Sequence, residues 1–213
     1  SDLGHGLLGE GAMGVATGRF RDRDRSSSVS AHRRLRLKPV GQAEAAMLID
    51  THTHLDHNEE APGLQLKRAA AAGVTLVIHS GTDLESSRLA VTLAERHAGV
   101  FATIGIHPHD ADAAGLHDLD ELRALGLHPK VVAVGETGLD FYRNRSPRAR
   151  QEEVFAVQID LARDLDLPLV IHTRDAEERS IPLLRELASG LTVVLHRFSM
   201  PARVEEFAAW GWY

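Results

Sequence analysis

The sequence predicts an α/β chain folded as a (β/α)8, TIM-barrel-like domain, and two observations carry that expectation. Short β-branched runs alternate with longer stretches of helical period, which is the pattern of βα units around a parallel sheet. Nearly every such run is followed by His or Glu, in "HTHLDH", "HSGTD", "GIHPHD", "GETGLD", "HTRD" and "HRFS". A barrel gathers the residues at its C-terminal strand ends on one rim, whereas the crevice of an open doubly wound sheet draws on only a few strands. Six strand ends bearing reactive groups favour the barrel.

The first predicted strand, Leu48 to His52, runs into "THTH", where alternation turns His52 and His54 to one face and Thr51 and Thr53 to the other. The other predicted strands are Val74 to His79, Phe101 to Gly105, Val131 to Gly135, Leu169 to His172 and Thr192 to His196. Helices are expected between them near 63–72, 84–97, 118–125, 147–165, 176–188 and 201–209. The fourth is the clearest, with Ser146 as N-cap, Pro147 at the first helical position, and Val154, Val157, Ile159 and Leu161 among its apolar residues.

Composition narrows the chemistry. With 213 residues, 43% of them hydrophobic and 25% charged, the chain suits one soluble globular domain with a core of its own. It has no cysteine, so disulfides, thiol nucleophiles, zinc fingers and iron–sulfur clusters are excluded, and a metal site must use His, Asp and Glu. Thirteen histidines are available for that. No apolar run reaches the length of a membrane span and the N-terminus lacks the order of a signal peptide, so a cytoplasmic protein without membrane contact is expected. A formal charge of −6 argues against a broadly basic surface; it permits a nucleic-acid enzyme without suggesting one.

Residues 1–46 differ from the rest. They hold seven glycines, eight basic and five acidic residues, net +3, which leaves residues 47–213 with 16 basic and 25 acidic, net −9. The stretch reads as a disordered or non-native extension, and a basic arm for nucleic acid is the competing reading. Met47, directly before the first strand, is a candidate natural start, so 47–213 is the expected barrel domain.

His52 and His54, at period two on a strand end, have the spacing to grip one ion from one side. Asp50, one step deeper on the same face, is read either as an acceptor that orients an imidazole or as a buried, capped carboxylate. Glu136 follows the apolar "VVAVG", where a charge needs a use, and Gly135 and Gly138 beside it would let the backbone approach a ligand. His172 ends "LPLVIH" and His196 ends "LTVVLH". Each of the five has an ordinary structural reading alone; decorating one rim together, they read as a metal centre.

The ordered series "DTHTHLD", "GIHPH", "GETGLDFY", "RQEEVFAVQIDLA", "LPLVIHTRDA" and "VVLHRFS" strongly resembles the TatD-like metal-dependent deoxyribonucleases of the amidohydrolase superfamily, from Met47 to about Tyr213. The resemblance implies a metal-dependent phosphodiester hydrolase, a 3′ to 5′ exonuclease on single-stranded DNA, with water activated by two divalent ions (Mg2+, Mn2+ or Zn2+). It implies that His52 and His54 hold one ion, His172 and His196 the other, and that Glu136 bridges both as the catalytic carboxylate. Arg174 is then placed to clamp a phosphate and His107 or His109 to contact substrate, while Tyr142 is either a base-stacking or a structural aromatic. The alternatives are an esterase resembling D-aminoacyl-tRNA deacylases and a catalytically inactive metal-binding remnant.

Two departures from the family pattern stand out. Its usual His-Cys-Phe-Ser-Gly stretch is His196-Arg197-Phe198-Ser199-Met200 here, so Arg197 either adds a phosphate contact or perturbs the loop. The family also continues into two more strands, the last ending in an aspartate that ligates the first ion. With six strands and at most the start of a seventh, the barrel is expected to lack its C-terminal strands and to leave two sheet edges open. Oligomeric state is not legible in the sequence.

Overall fold

The computed structural model describes residues 47–57 and 59–213. The predicted extension 1–46 lies outside the described residues.

Six parallel strands, β1 (Leu48–Thr53), β2 (Val74–Ser80), β3 (Val100–Ile104), β4 (Val131–Asp140), β5 (Leu169–Arg174) and β6 (Val193–Leu195), form one sheet in sequential order. Successive strands are joined through α1 (Pro62–Ala71), α2 (Leu84–Arg96), α3 (Leu116–Gly126), α4 (Arg148–Leu165) and α5 (Glu177–Leu187). A short 3-10 turn, Pro201–Arg203, and α6 (Val204–Ala209) follow β6. Such an order, with a helix in every crossover, is the TIM-barrel-like arrangement, here a six-stranded curled part of a barrel.

Local sequence accounts for most of these elements. Asp83 caps α2: its Oδ1 accepts the Ser86 amide at 2.7 Å, while the Ser86 hydroxyl oxygen accepts the Asp83 amide at 3.0 Å, a reciprocal capping box. The core lies between the sheet and its helices. Ile104, Leu169 and Ile171 of the strands pack with Leu122, Phe155 and Ile159 of α3 and α4, all fully buried. At about 25 cal/mol per Å2 of apolar surface removed from water, each large side chain of this set contributes roughly 1.5–3 kcal/mol.

Some expectations need correction. Ser146 does not cap α4: its hydroxyl donates to the His109 carbonyl at 2.8 Å and accepts the Asp112 amide at 3.0 Å, so it ties the loop after β3 instead. Pro147 holds the N-cap position. Val157 faces solvent, because the buried face of α4 is taken by Val154, Phe155, Ile159 and Leu161 together with Gln151 and Gln158. β4 continues five residues beyond the predicted Gly135; the polar "ETGLD" holds its extended form through pairing with β5 and complete burial, which override its low strand propensity.

The glycines in that stretch let β4 pack closely on β5. Gly135 (φ +149°) and Gly138 (φ +140°) adopt backbone that side chains rarely enter. A Cβ on Gly135 would sit 2.5 Å from the Val170 carbonyl oxygen, and one on Gly138 would collide with the His172 carbonyl. β4 and β5 therefore lie closer at the site than any other residue would allow.

β1 and β6 are the outer strands. Leu48 and Ile49 on β1 are half exposed, as expected for an open edge. On β6 the edge is met by the chain itself: the Leu195 amide donates to the Tyr213 carbonyl at 2.7 Å, and the Tyr213 amide donates to Val193 at 2.9 Å. Among the described residues, no helix is long and apolar enough to cross a membrane.

Candidate metal centre

The C-terminal ends of β1, β4, β5 and β6 deliver their polar side chains to one place. From β1, His52 Nε2 lies 3.2 Å from Nε2 of His54, just past the strand end, and 3.3 Å from Glu136 Oε2. Glu136 projects from β4, and its other oxygen, Oε1, lies 2.9 Å from His172 Nδ1 and 3.9 Å from His196 Nε2. The His196 amide donates to the Ile171 carbonyl at 2.9 Å, which holds the residue after β6 against β5, and its ring stacks on His52. All five predicted ligands thus meet around one buried carboxylate.

Two ligand-forming groups result. His52, His54 and Glu136 bring one donor atom each within 4.8 Å of the others, and so do His107, Glu136 and His172. Metal binding needs neutral imidazoles and an ionised carboxylate. Burial, with the neighbouring His52 and His57, lowers the His54 pKa; burial, with His52, takes His196 down to about 4. Burial alone would raise Glu136, but hydrogen bonds from His172 and His52 outweigh it and hold the carboxyl well below its usual range. His172 moves the other way: burial lowers its pKa, yet the hydrogen bonds and charge of Glu136 and Asp140 raise it overall. Glu136 Oε1 and His172 Nδ1 therefore face each other within hydrogen-bond distance, through atoms that an ion at this place would take as ligands.

Surrounding groups fix these rings. The Ser80 hydroxyl lies 3.2 Å from His52 Nδ1. Asp140, fully buried, places Oδ2 3.1 Å from His172 Nε2 and 3.0 Å from His109 Nε2, while Oδ1 accepts the Arg143 amide at 2.6 Å. Such partners set which nitrogen carries the proton and how the ring is turned. Neither Ser80 nor Asp140 was singled out from sequence, although "GLD" ends the strand that bears Glu136; the signal was hidden because β4 was expected to stop at Gly135. Asp50 fits neither reading offered for it: it is exposed, and its carboxylate accepts the backbone amide of His52 at 3.1 Å.

The predicted substrate residues line the same rim. His107 is buried and its ring lies 4.5 Å from that of His172. Its Nδ1 accepts the His109 amide at 3.1 Å and burial pushes its pKa down to about 3, so the ring is neutral with its proton on Nε2. Arg174 ends β5, its guanidinium 3.8 Å from the centre of the Tyr142 ring and, among the described residues, paired with no carboxylate. Arg197 is exposed, with φ +51°, and its charge helps lower His196.

Comparison with known proteins follows the same lines. Residues 49–213 match the family model described as TatD related DNase. The chain is 43% identical over 150 residues to the 3′-5′ ssDNA/RNA exonuclease TatD of Cronobacter turicensis, covering 70% of this chain and 56% of that one. It is 38% identical over 161 residues to the uncharacterized metal-dependent hydrolase YabD of Bacillus subtilis, covering 74% of this chain and 63% of that one. Among solved structures, the TatD homologue YJJV of Escherichia coli superposes with a TM-score of 0.71 at 31% identity, covering 78% of this chain and 66% of that one. The chain spans between half and two thirds of the length of the curated relatives named here.

Proposed function

The chain belongs to the family of TatD related DNases, and from that premise we propose that it carries a metal-dependent hydrolase centre that cuts phosphodiester bonds of single-stranded nucleic acid from the 3′ end. One observation carries the reading: Glu136 turns one carboxylate oxygen to His52 and the other to His172 and His196. A carboxylate so divided, with imidazoles on both sides, is the donor set of a bridged two-ion centre. The name of the Cronobacter relative, an exonuclease on ssDNA and RNA, supports the substrate class.

In this proposal His52, His54 and Glu136 hold one divalent ion, and Glu136, His172 and His196 hold the second. The imidazole-rich set suits Zn2+, while phosphate chemistry commonly runs with Mg2+ or Mn2+. Ions bound there supply water activation at neutral pH and neutralise charge on the phosphate. The remaining steps belong to the chain. Arg174, its guanidinium over the Tyr142 ring and, among the described residues, without an acidic partner, presents its fork to two nonbridging phosphate oxygens. His107, neutral with its proton on Nε2, donates a hydrogen bond to substrate and does not ligate, because its other nitrogen is already committed to the His109 amide. Asp140 keeps the Nε2 proton of His172, leaving Nδ1 free on the Glu136 side.

Digestion of 3′-labelled and 5′-labelled single-stranded oligonucleotides, with and without chelator and with the Cronobacter enzyme as control, tests this. Chelator-sensitive shortening from the 3′ end is expected. Absence of cleavage where the control cleaves rejects the reading, and cleavage of an aminoacyl ester instead would replace it with the esterase.

A further inference from the structure

The loop after β1 carries a second cluster of ligand-forming groups that shares only His54 with the centre around Glu136. Leu55 is its anchor. The side chain is buried, its amide donates to His79 Nδ1 at 3.0 Å, and its carbonyl accepts the Gln65 amide group at 2.8 Å. Pinning Leu55 inward leaves Asp56 and His57 at the surface, and the His57 amide donates back to the His54 carbonyl at 3.3 Å. The His57 ring lies over that of His54, 4.6 Å between centres and 12° from parallel. His54, Asp56 and His57 consequently bring three donor atoms within 4.8 Å of one another.

A separate observation points to a ligand there. His79 is completely buried in β2, and among the described residues its Nε2 has no hydrogen-bond partner. Since Nδ1 accepts from Leu55, the neutral ring carries its proton on Nε2, and this proton faces Asp56, whose Oδ1 is 3.8 Å away. Buried donors without acceptors are rare in folded proteins and need an explanation. Carboxylates that ligate a metal are themselves commonly hydrogen-bonded from behind.

We propose that His54, Asp56 and His57 form a rim site for one late transition-metal cation of the Zn2+ class, with His79 as the positioning residue behind Asp56. Two imidazoles and a carboxylate suit such an ion better than Mg2+ or Ca2+, which prefer all-oxygen shells. His54 belongs to this cluster and to the centre around Glu136; with an ion on each ring nitrogen it would give up its N–H proton to solvent and bridge as an imidazolate. Filling the rim site therefore acts on the centre through a single residue, which makes zinc concentration a regulator of the neighbouring site.

Equilibrium dialysis of the whole chain against Zn2+ tests the site independently of any activity. The unaltered protein is expected to bind one ion more per chain than Asp56→Asn/His57→Gln, whose two changes lie at the surface. His57→Cys, which keeps a ligand, should retain the additional ion, and so should His196→Ala, which alters only the other centre. His79→Phe should weaken the additional ion about 10- to 100-fold. Equal numbers of ions, bound equally tightly, in the unaltered protein and in Asp56→Asn/His57→Gln would overturn the proposal.

Discussion

The rings of His52 and His196 stack 3.6 Å apart, 15° from parallel, although they stand at the ends of the two outermost strands of the sheet. Six flat strands at about 4.8 Å spacing would hold those ends roughly 24 Å apart. Curling of the sheet removes that distance, and its inner rim is where Glu136 meets imidazoles from three other strand ends. The curvature that makes a barrel also makes the site.

Asp140 is expected to matter as much as a ligand. Its carboxylate holds both His172 and His109. Asp140→Asn keeps the shape but removes one acceptor and the charge, so metal affinity should fall about 10- to 100-fold. Titration calorimetry checks this; unchanged affinity would show that His172 is oriented by packing alone.

Gln158 fixes the loop that carries His107. Its amide accepts the Ile106 amide at 2.7 Å and donates to the Ile106 carbonyl at 3.0 Å and to Thr137 Oγ1 at 2.6 Å, all buried. Gln158→Leu strands these groups, at about 1–3 kcal/mol for each one left unpaired. Urea unfolding should give a lower midpoint with an unchanged slope, and an unaltered midpoint would contradict the clamp.

Acid should destabilise the metal-free protein through His79. Burial lowers its pKa from 6.5 in the native state, so the unfolded chain binds the proton more readily. That contribution to stability is fully present above pH 6.5 and is lost as the pH falls through 6.5 toward the depressed native value. Unfolding measured in chelator between pH 7.5 and 5 should show a positive slope with pH that flattens in His79→Gln. A slope identical in both would assign the acid sensitivity elsewhere.

Much of the architecture was legible because the signals were local. Alternating β-branched runs and helical stretches placed all six strands, and the histidines at their ends pointed to the rim. What sequence concealed depended on partners distant in the chain. The extension of β4 to Asp140 rests on β5, the role of Ser146 rests on the loop after β3, and the buried face of α4 includes two glutamines that bind backbone of other elements. Polar residues committed to distant backbone look like surface residues until the fold is seen.

Residues 1–46 are proposed to be dispensable for the reaction. A chain starting at Met47 should cleave at an undiminished rate with the same salt dependence. If the basic stretch instead contacts phosphates, its removal would weaken binding and make the dependence on salt shallower.

The bridging role proposed for Glu136 is tested most directly by electron paramagnetic resonance of the protein loaded with two Mn2+ per chain. A carboxylate shared by both ions predicts an exchange-coupled spectrum that Glu136→Ala converts to that of isolated ions. Isolated-ion lines in the unaltered protein at the same loading would contradict a shared centre.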